Sequence, residues 1–95
     1  MPIQGFKDQR CARLLRGEAP GRKLPTEIIR RAFAKLQLLE AAHELEDLRD
    51  PPGNRLEALS GDRAGQYSIR VNRQFRICFV WTPEGPSEVE LVDYH

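Results

Sequence analysis

Asp93, Tyr94 and His95 stand together at the end of the sequence and offer a carboxylate, a phenol and an imidazole. Imidazole has an ordinary pKa of about 6.5, which makes it the side chain best suited to general acid and base catalysis at neutral pH. Leu91 and Val92 precede this triplet and are expected to anchor a strand almost to its end. The triplet is therefore a candidate acid–base site, and a frayed tail with an accidental histidine is the alternative that the spacing leaves open.

Arg70 and Arg76 form a second candidate group. Apolar and polar residues alternate in the second half of the chain, which predicts antiparallel strands with one face under the helices. A loop of residues 72–74 keeps the apolar side chains of two such strands on one face and pairs Ile69 with Ile77. The same register places Arg70 directly opposite Arg76 on the other face.

Like charges at opposite positions destabilise a strand pair by a few tenths to about 1 kcal/mol, so an anion is expected to neutralise these two arginines. Glu90 on the neighbouring strand could supply the charge, and so could the phosphate of a ligand; the residues alone leave both open. If Trp81 pairs with Val89 in the next hairpin, Arg76 lies opposite Tyr94. The polar face of the sheet would then carry arginines beside the acid–base triplet.

Helices in the first half and strands in the second must position these groups. Residues 4–6 are predicted to form a short strand, Asp8 to cap a helix that ends at Leu15, and Pro25 to begin a second helix. Residues 55–59 are predicted to lead the sheet. The apolar stripe of the second helix comprises Ile29, Ala32, Phe33, Leu36 and Leu39. The pattern predicts one α+β domain over residues 1–95, with two helices packed on one face of a small antiparallel sheet.

Composition excludes several classes of protein. The chain has 95 residues and a net charge of +1, which hides alternating basic and acidic blocks, and the basic blocks could face polyanions. No apolar run has the length of a membrane span, and the first residues do not form a secretory signal. Cys11 and Cys78 make neither a disulfide framework nor a metal-binding motif. We therefore expect a cytoplasmic protein without a metal or another cofactor.

Four segments together resemble the HigB-type toxins of the RelE/ParE superfamily of bacterial toxin–antitoxin systems, which include the plasmid maintenance killer proteins. They are residues 55–63 (RLEALSGDR), 65–69 (GQYSI), 75–77 (FRI) and 93–95 (DYH). The likeness extends over nearly the whole chain, and its specificity lies in the combination of segments. The resemblance implies a RelE-like fold related to that of microbial RNases.

The resemblance also implies an activity, which is ribosome-dependent cleavage of messenger RNA in the A site. The reaction needs no metal, because the ribose 2′-hydroxyl attacks the adjacent phosphate and the 5′-oxygen leaves. By position, Asp93, Tyr94 and His95 match the family's catalytic residues, and Arg76 matches its phosphate-stabilising arginine. Candidates for RNA binding are Arg63, Arg70, Arg73 and Gln74. The implied partners are a helix-turn-helix antitoxin of the HigA type, the 70S ribosome and messenger RNA.

Glu57 departs from the pattern of the family, because some members carry a histidine at its position. As a further catalytic candidate, Glu57 could act as the base, or it could only pair with Arg76 or Arg55 in the absence of RNA. The division of roles between Glu57 and His95 is therefore open. Two other functions are possible for this fold: a ParE-like toxin that inhibits DNA gyrase, and a catalytically silent module that binds RNA or an antitoxin.

Overall fold

The computed structural model describes residues 1–21 and 24–94, and over these ranges it has two α-helices and one antiparallel sheet. The helices are α1 (Gln9–Leu15) and α2 (Thr26–Ala41), and the strands are β1 (Glu57–Ala58), β2 (Tyr67–Arg70), β3 (Phe75–Thr82) and β4 (Gly85–Asp93). The strand order is β1-β2-β3-β4 and every neighbouring pair is antiparallel. The predicted α+β architecture is confirmed. Neither helix is long and apolar enough to cross a membrane.

The predicted helix starts are confirmed. The side chain of Asp8 caps α1, because its carboxylate accepts a hydrogen bond of 3.0 Å from the backbone N–H of Arg10. Pro25 immediately precedes α2, and Glu27 lies in its first turn. The predicted strand at residues 4–6 is reduced to a single parallel bridge between Phe6 and Val89.

The apolar stripe of α2 differs partly from the prediction. The buried residues are Ile28, Ala32, Leu36 and Leu39, whereas Ile29 and Phe33 are only half-buried. Each residue turns the side chain by about 100° around a helix, so the side chains of Ile29 and Phe33 lie at the margin of the buried face. There they line the space between α2 and Leu14 of α1.

Apolar side chains of the sheet face the helices and form the core. Fully buried examples from three strands are Ile69, Ile77, Phe79 and Val89, which pack with Leu36 of α2 and its neighbours. Strand alternation turns the intervening residues to the opposite side of the sheet, here called the outer face. The outer face carries Ser68, Arg70, Arg76, Cys78, Glu90, Val92 and Tyr94.

The register of the first hairpin is as predicted. Ile69 pairs with Ile77 and Arg70 pairs with Arg76, and the backbone N–H of Val71 donates to the carbonyl of Phe75 over 2.9 Å. The loop length and the need to keep apolar side chains on one face therefore determined this hairpin.

The register of the second hairpin was predicted wrongly. Trp81 pairs with Pro86 instead of Val89, and Arg76 pairs with Val92 instead of Tyr94. The pairing of β3 with β4 continues up to Thr82 and Gly85. Val80 pairs with Ser87 and Cys78 pairs with Glu90, so β4 has one residue more than β3 between these two pairs. Glu88 lies in this bulge and has a φ of 51°. The turn between β3 and β4 is shorter than the predicted one, since Thr82 already pairs with Gly85. Because of the bulge, Val89 and Leu91 are nevertheless buried in the core.

Candidate active site

Arg76 lies on the outer face of the sheet and is held by two uncharged oxygens. Its Nε donates to Ser68 Oγ over 2.8 Å, and its Nη2 donates to the carbonyl oxygen of Arg55 over 2.7 Å. Only 14% of the Arg76 side chain is exposed. These contacts fix the plane of the guanidinium and leave its charge without a buried counterion in the described ranges.

Glu57 is the carboxylate that contacts Arg76. Its Oε1 lies 3.3 Å from Arg76 Nη2, while 60% of the Glu57 side chain is exposed. The contact of Glu57 with Arg76, one of the two alternatives considered for this residue, is therefore present in the structure. Because so exposed an ion pair is well screened by water, it ties Arg76 only weakly and can open to admit another anion.

Glu90, one of the two anions considered for the arginine pair, contacts other cations instead. Its Oε1 accepts a hydrogen bond of 2.7 Å from Arg63 and lies 3.6 Å from Lys7 Nζ. The register of β4 places Glu90 opposite Cys78, one pair along the outer face from Arg76. The turn at Gly61–Arg63 brings Arg63 over the same position.

Tyr94 lies beside Arg76 although the two are not directly opposite. The Arg76 Cζ is 5.9 Å from the centroid of the Tyr94 ring, which is within the range of a cation–π contact. Since Arg76 pairs with Val92, Tyr94 occupies the diagonal position on the same face. Desolvation and the neighbouring Cys78 raise the pKa of Tyr94 above its ordinary value, so the phenol keeps its proton at neutral pH.

Asp93 is not brought to Arg76. It pairs with Phe75, and strand alternation places it on the side of the sheet opposite to Arg76. Its Oδ2 accepts a hydrogen bond of 3.0 Å from Gln74 Nε2. His95, the third member of the predicted acid–base triplet, lies outside the described residues.

Four arginines line one pocket at the outer face. This arginine pocket has a volume of about 340 Å³ and is lined by Arg55, Arg70, Asn72, Arg73, Arg76 and Tyr94. Of the predicted RNA-binding residues, Arg70 and Arg73 line it, whereas Arg63 is bound to Glu90 and Gln74 to Asp93. The hydrogen bond to Glu90 raises the pKa of the Arg63 guanidinium, because the carboxylate stabilises its positive charge.

Two residues of the site were not identified as functional from the sequence. Arg55 has a φ of 46° and a ψ of 55°, a left-handed conformation that is uncommon for a residue other than glycine. This conformation directs its carbonyl oxygen at Arg76 while its side chain lines the arginine pocket. Ser68, fully buried, supplies the other acceptor. The alternating pattern places Ser68 on the polar face of the sheet, and this position could have indicated its contact with Arg76. Nothing in the sequence indicated that Arg55 adopts a left-handed backbone conformation.

The arrangement is suited to binding a phosphodiester. Guanidinium groups form paired, charge-assisted hydrogen bonds to phosphate oxygens, and the phenol of Tyr94 adds a proton donor and an aromatic surface. In the part of the chain that the structure describes, no group of His, Cys, Asp and Glu side chains is arranged to hold a metal ion.

The fold and the pocket define a small α+β domain with a basic pocket on its open sheet face. The family described as RelE-like toxin of type II toxin–antitoxin system HigB matches residues 4–95. The chain is 43% identical over 76 residues to Toxin HigB-1 of Vibrio cholerae, which covers 80% of each chain. It is also 34% identical over 74 residues to an uncharacterized protein of Haemophilus influenzae, covering 78% of this chain and 73% of that one. The chain belongs to the HigB-like toxins of type II toxin–antitoxin systems, a class whose members have an antitoxin partner.

Proposed function

We propose that this toxin is a ribosome-dependent endoribonuclease that cuts messenger RNA in the A site. The observation that carries the proposal is the arginine pocket, in which Arg76 is oriented by Ser68 and Arg55 and faces Tyr94. A gyrase inhibitor acting as a binding protein has no need for an oriented guanidinium beside a phenol. A nuclease needs both, because charge builds up on the phosphate during cleavage.

The proposed reaction is an attack of the ribose 2′-hydroxyl on the adjacent phosphate. A base removes the proton of the 2′-oxygen, a cation stabilises the phosphorane, and an acid protonates the departing 5′-oxygen. Arg76 supplies the cation. Tyr94 is the acid, because its phenol holds its proton at neutral pH and its ring lies beside the guanidinium.

The base is either Glu57 or His95. Glu57 lies 3.3 Å from Arg76 and, as a carboxylate, can accept the proton of the 2′-hydroxyl once RNA displaces its ion pair. Asp93, which the resemblance counts among the catalytic residues, would act by holding Gln74 in the loop that follows β2. The 2′-hydroxyl serves as the nucleophile, so this reaction requires neither a metal nor another cofactor.

The proposed partners follow from the proposed reaction. The toxin would bind the 70S ribosome and its messenger RNA in the cytoplasm, and a helix-turn-helix antitoxin of the HigA type would neutralise it. The antitoxin would also repress the promoter that the two proteins share.

Primer extension on translated and untranslated message, with purified protein and ribosomes, tests the function. We expect cuts at codons of the translated message only, and none with Arg76→Ala. Arg49→Ala, which changes an exposed arginine that does not line the pocket, is the matched control and should cut normally. Intact messages together with a supercoiling defect in induced cells would contradict the proposal and indicate a gyrase inhibitor.

The same assay distinguishes the two possible bases. If Glu57 is the base, Glu57→Gln slows single-turnover cleavage by about 100-fold and removes the acidic limb of the rate profile, while deletion of His95 has a small effect. If His95 is the base, the deletion abolishes cleavage and Glu57→Gln changes the rate only a few-fold.

A further inference from the structure

A second basic depression adjoins the arginine pocket. This helix groove has a volume of about 650 Å³ and lies between α2 and the loop that joins β2 to β3. Its lining includes Arg31 and Lys35 of α2, and it shares Arg70, Asn72 and Arg73 with the arginine pocket. The two depressions therefore form one continuous basic surface.

Lys35 is held in the helix groove by an uncharged partner. Its Nζ donates to Asn54 Oδ1 over 2.6 Å, and Asn54 is completely buried. The Nδ2 of Asn54 donates to the carbonyl oxygens of Leu48 and Asp50, which fixes the amide with its oxygen towards the lysine. Within the described residues, no carboxylate forms an ion pair with Lys35.

Arg31 adds a like charge next to Lys35. Burial lowers the pKa of Lys35, and the positive charge of Arg31 lowers it further. Arg31 is paired with Glu27 at 2.8 Å, but both side chains are more than half exposed, so the pair contributes little and is easily exchanged. An anion in the groove would relieve the repulsion between the two cations.

The lining of the helix groove has an excess of positive charge. Arg31, Lys35, Arg70 and Arg73 face the single carboxylate of Glu27. In proteins that bind single-stranded nucleic acid, a positively charged groove follows the sugar–phosphate backbone of the strand. The shared residues provide that continuity here.

We infer that the helix groove is a second phosphate subsite, in which Lys35 and Arg31 bind a backbone phosphate of the RNA strand that flanks the cleaved bond. The inference rests on the proposed function, because it takes the arginine pocket as the seat of the scissile phosphate. Asn54 is then a positioning residue, since it holds the ammonium of Lys35 at the wall of the groove.

Binding of RNA analogues of two lengths tests the inference. The probes are 2′-O-methyl oligonucleotides, which lack the attacking hydroxyl and are not cleaved. A dinucleotide has a single phosphodiester and fills only the arginine pocket, whereas a hexanucleotide reaches the helix groove. Fluorescence anisotropy measures the hexanucleotide and chemical-shift titration measures the weaker dinucleotide, both with the purified full chain.

We expect Lys35→Gln and Arg31→Gln each to weaken hexanucleotide binding by about 5- to 10-fold. Each should also reduce the slope of log affinity against log salt by about 0.7, the value for one phosphate contact on a single strand. Dinucleotide binding should stay unchanged. Lys35→Arg should restore hexanucleotide affinity, which separates loss of the charge from damage to the contact with Asn54.

Arg30→Gln is the matched control, because Arg30 is an exposed arginine of the same helix that lines a different depression. If Lys35→Gln and Arg31→Gln change hexanucleotide binding no more than Arg30→Gln does, or weaken both probes equally, the inference is wrong. If Arg76→Ala leaves dinucleotide binding intact while Lys35→Gln still weakens the hexanucleotide, the phosphate subsite stands and the proposed cleavage pocket fails.

Discussion

Arg63 and Arg76 both lie at the outer face of the sheet, yet their surroundings differ. Arg63 donates to Glu90 over 2.7 Å, and the side chains of this pair are only 30% and 17% exposed. Arg76 donates to the neutral oxygens of Ser68 and Arg55, and its carboxylate contact is the exposed Glu57 at 3.3 Å. The first arginine is neutralised within the protein, whereas the second keeps its charge available for a ligand.

The two arginines have the same residue type, so what distinguishes them is the charge of the groups that they contact. A shielded carboxylate takes up the charge and the donors of a guanidinium, so a phosphate gains little by approaching it. Neutral acceptors fix the geometry of a guanidinium and leave its charge unbalanced. By this criterion, we propose the arginine pocket as the functional region and the contact between Arg63 and Glu90 as a structural one.

Substitution of Arg76 and of Arg63 by alanine tests this distinction most directly. Arg76→Ala should reduce the rate of messenger RNA cleavage by about 100- to 1,000-fold, because it removes the group that stabilises the phosphorane. Arg63→Ala should change the rate only a few-fold and lower the melting temperature instead. Single-turnover cleavage and thermal unfolding, measured on both variants, check the pair. Equal losses of rate would show that the distinction is wrong.

Tyr94 lines the arginine pocket next to Arg76, and its substitution tests the proposed acid. Tyr94→Phe keeps the ring over Arg76 but removes the phenolic proton, so cleavage should slow by about 100-fold if the phenol is the acid. Desolvation and the neighbouring Cys78 raise the pKa of Tyr94 above the ordinary value of a phenol, so its proton is retained as the pH rises from about 7 to about 9. The wild-type rate should therefore show no loss from this group in that range. An alkaline limb near pH 8 that disappears in Tyr94→Phe would contradict this protonation state.

Ser68→Ala tests whether neutral acceptors are what makes Arg76 effective. The substitution leaves the Nε of a largely buried guanidinium without its 2.8 Å partner, so the group is less well oriented. We expect the rate to fall by roughly 10-fold, less than for Arg76→Ala, because the contact with the carbonyl of Arg55 remains. The KM should change less than kcat. A fall in rate as large as that of Arg76→Ala, in a folded protein, would show that Ser68 does more than orient the arginine.

Glu90→Gln probes the structural arginine from its carboxylate side and should have the smallest effect on cleavage. It should lower the free energy of unfolding by about 1 to 2 kcal/mol, because Arg63 and Lys7 lose their shared anion in a partly shielded position. The cleavage rate should remain within a few-fold of the wild type. Chemical denaturation gives the stability, and Glu46→Gln, at an exposed ion pair, provides the control. A large loss of activity at unchanged stability would place Glu90 in the active site.

Local sequence patterns were sufficient to predict the α+β architecture and the pairing of Arg70 with Arg76. The alternation in the second half of the chain and the loop of residues 72–74 were sufficient to place Arg70 opposite Arg76, since a shift by one residue would expose the core. The helix starts at Asp8 and after Pro25 also followed from local signals. These features depend on neighbours in the sequence, and the sequence therefore reveals them.

Only the tertiary structure decided which charges pair and how the second hairpin is aligned. The extra residue in β4, at Glu88, moves Glu90 to Cys78 and hence to Arg63, and no periodic pattern reports an inserted residue. The left-handed backbone of Arg55 directs a carbonyl at Arg76, and it directly follows Asn54, which is buried and donates to the carbonyl of Leu48. Such contacts join residues that are distant in the chain, and their free energies depend on burial and on competing partners. The residue types of the site could be read from the sequence, whereas the contacts of Arg76 with Ser68, with the carbonyl of Arg55 and with Glu57 depend on the folded chain.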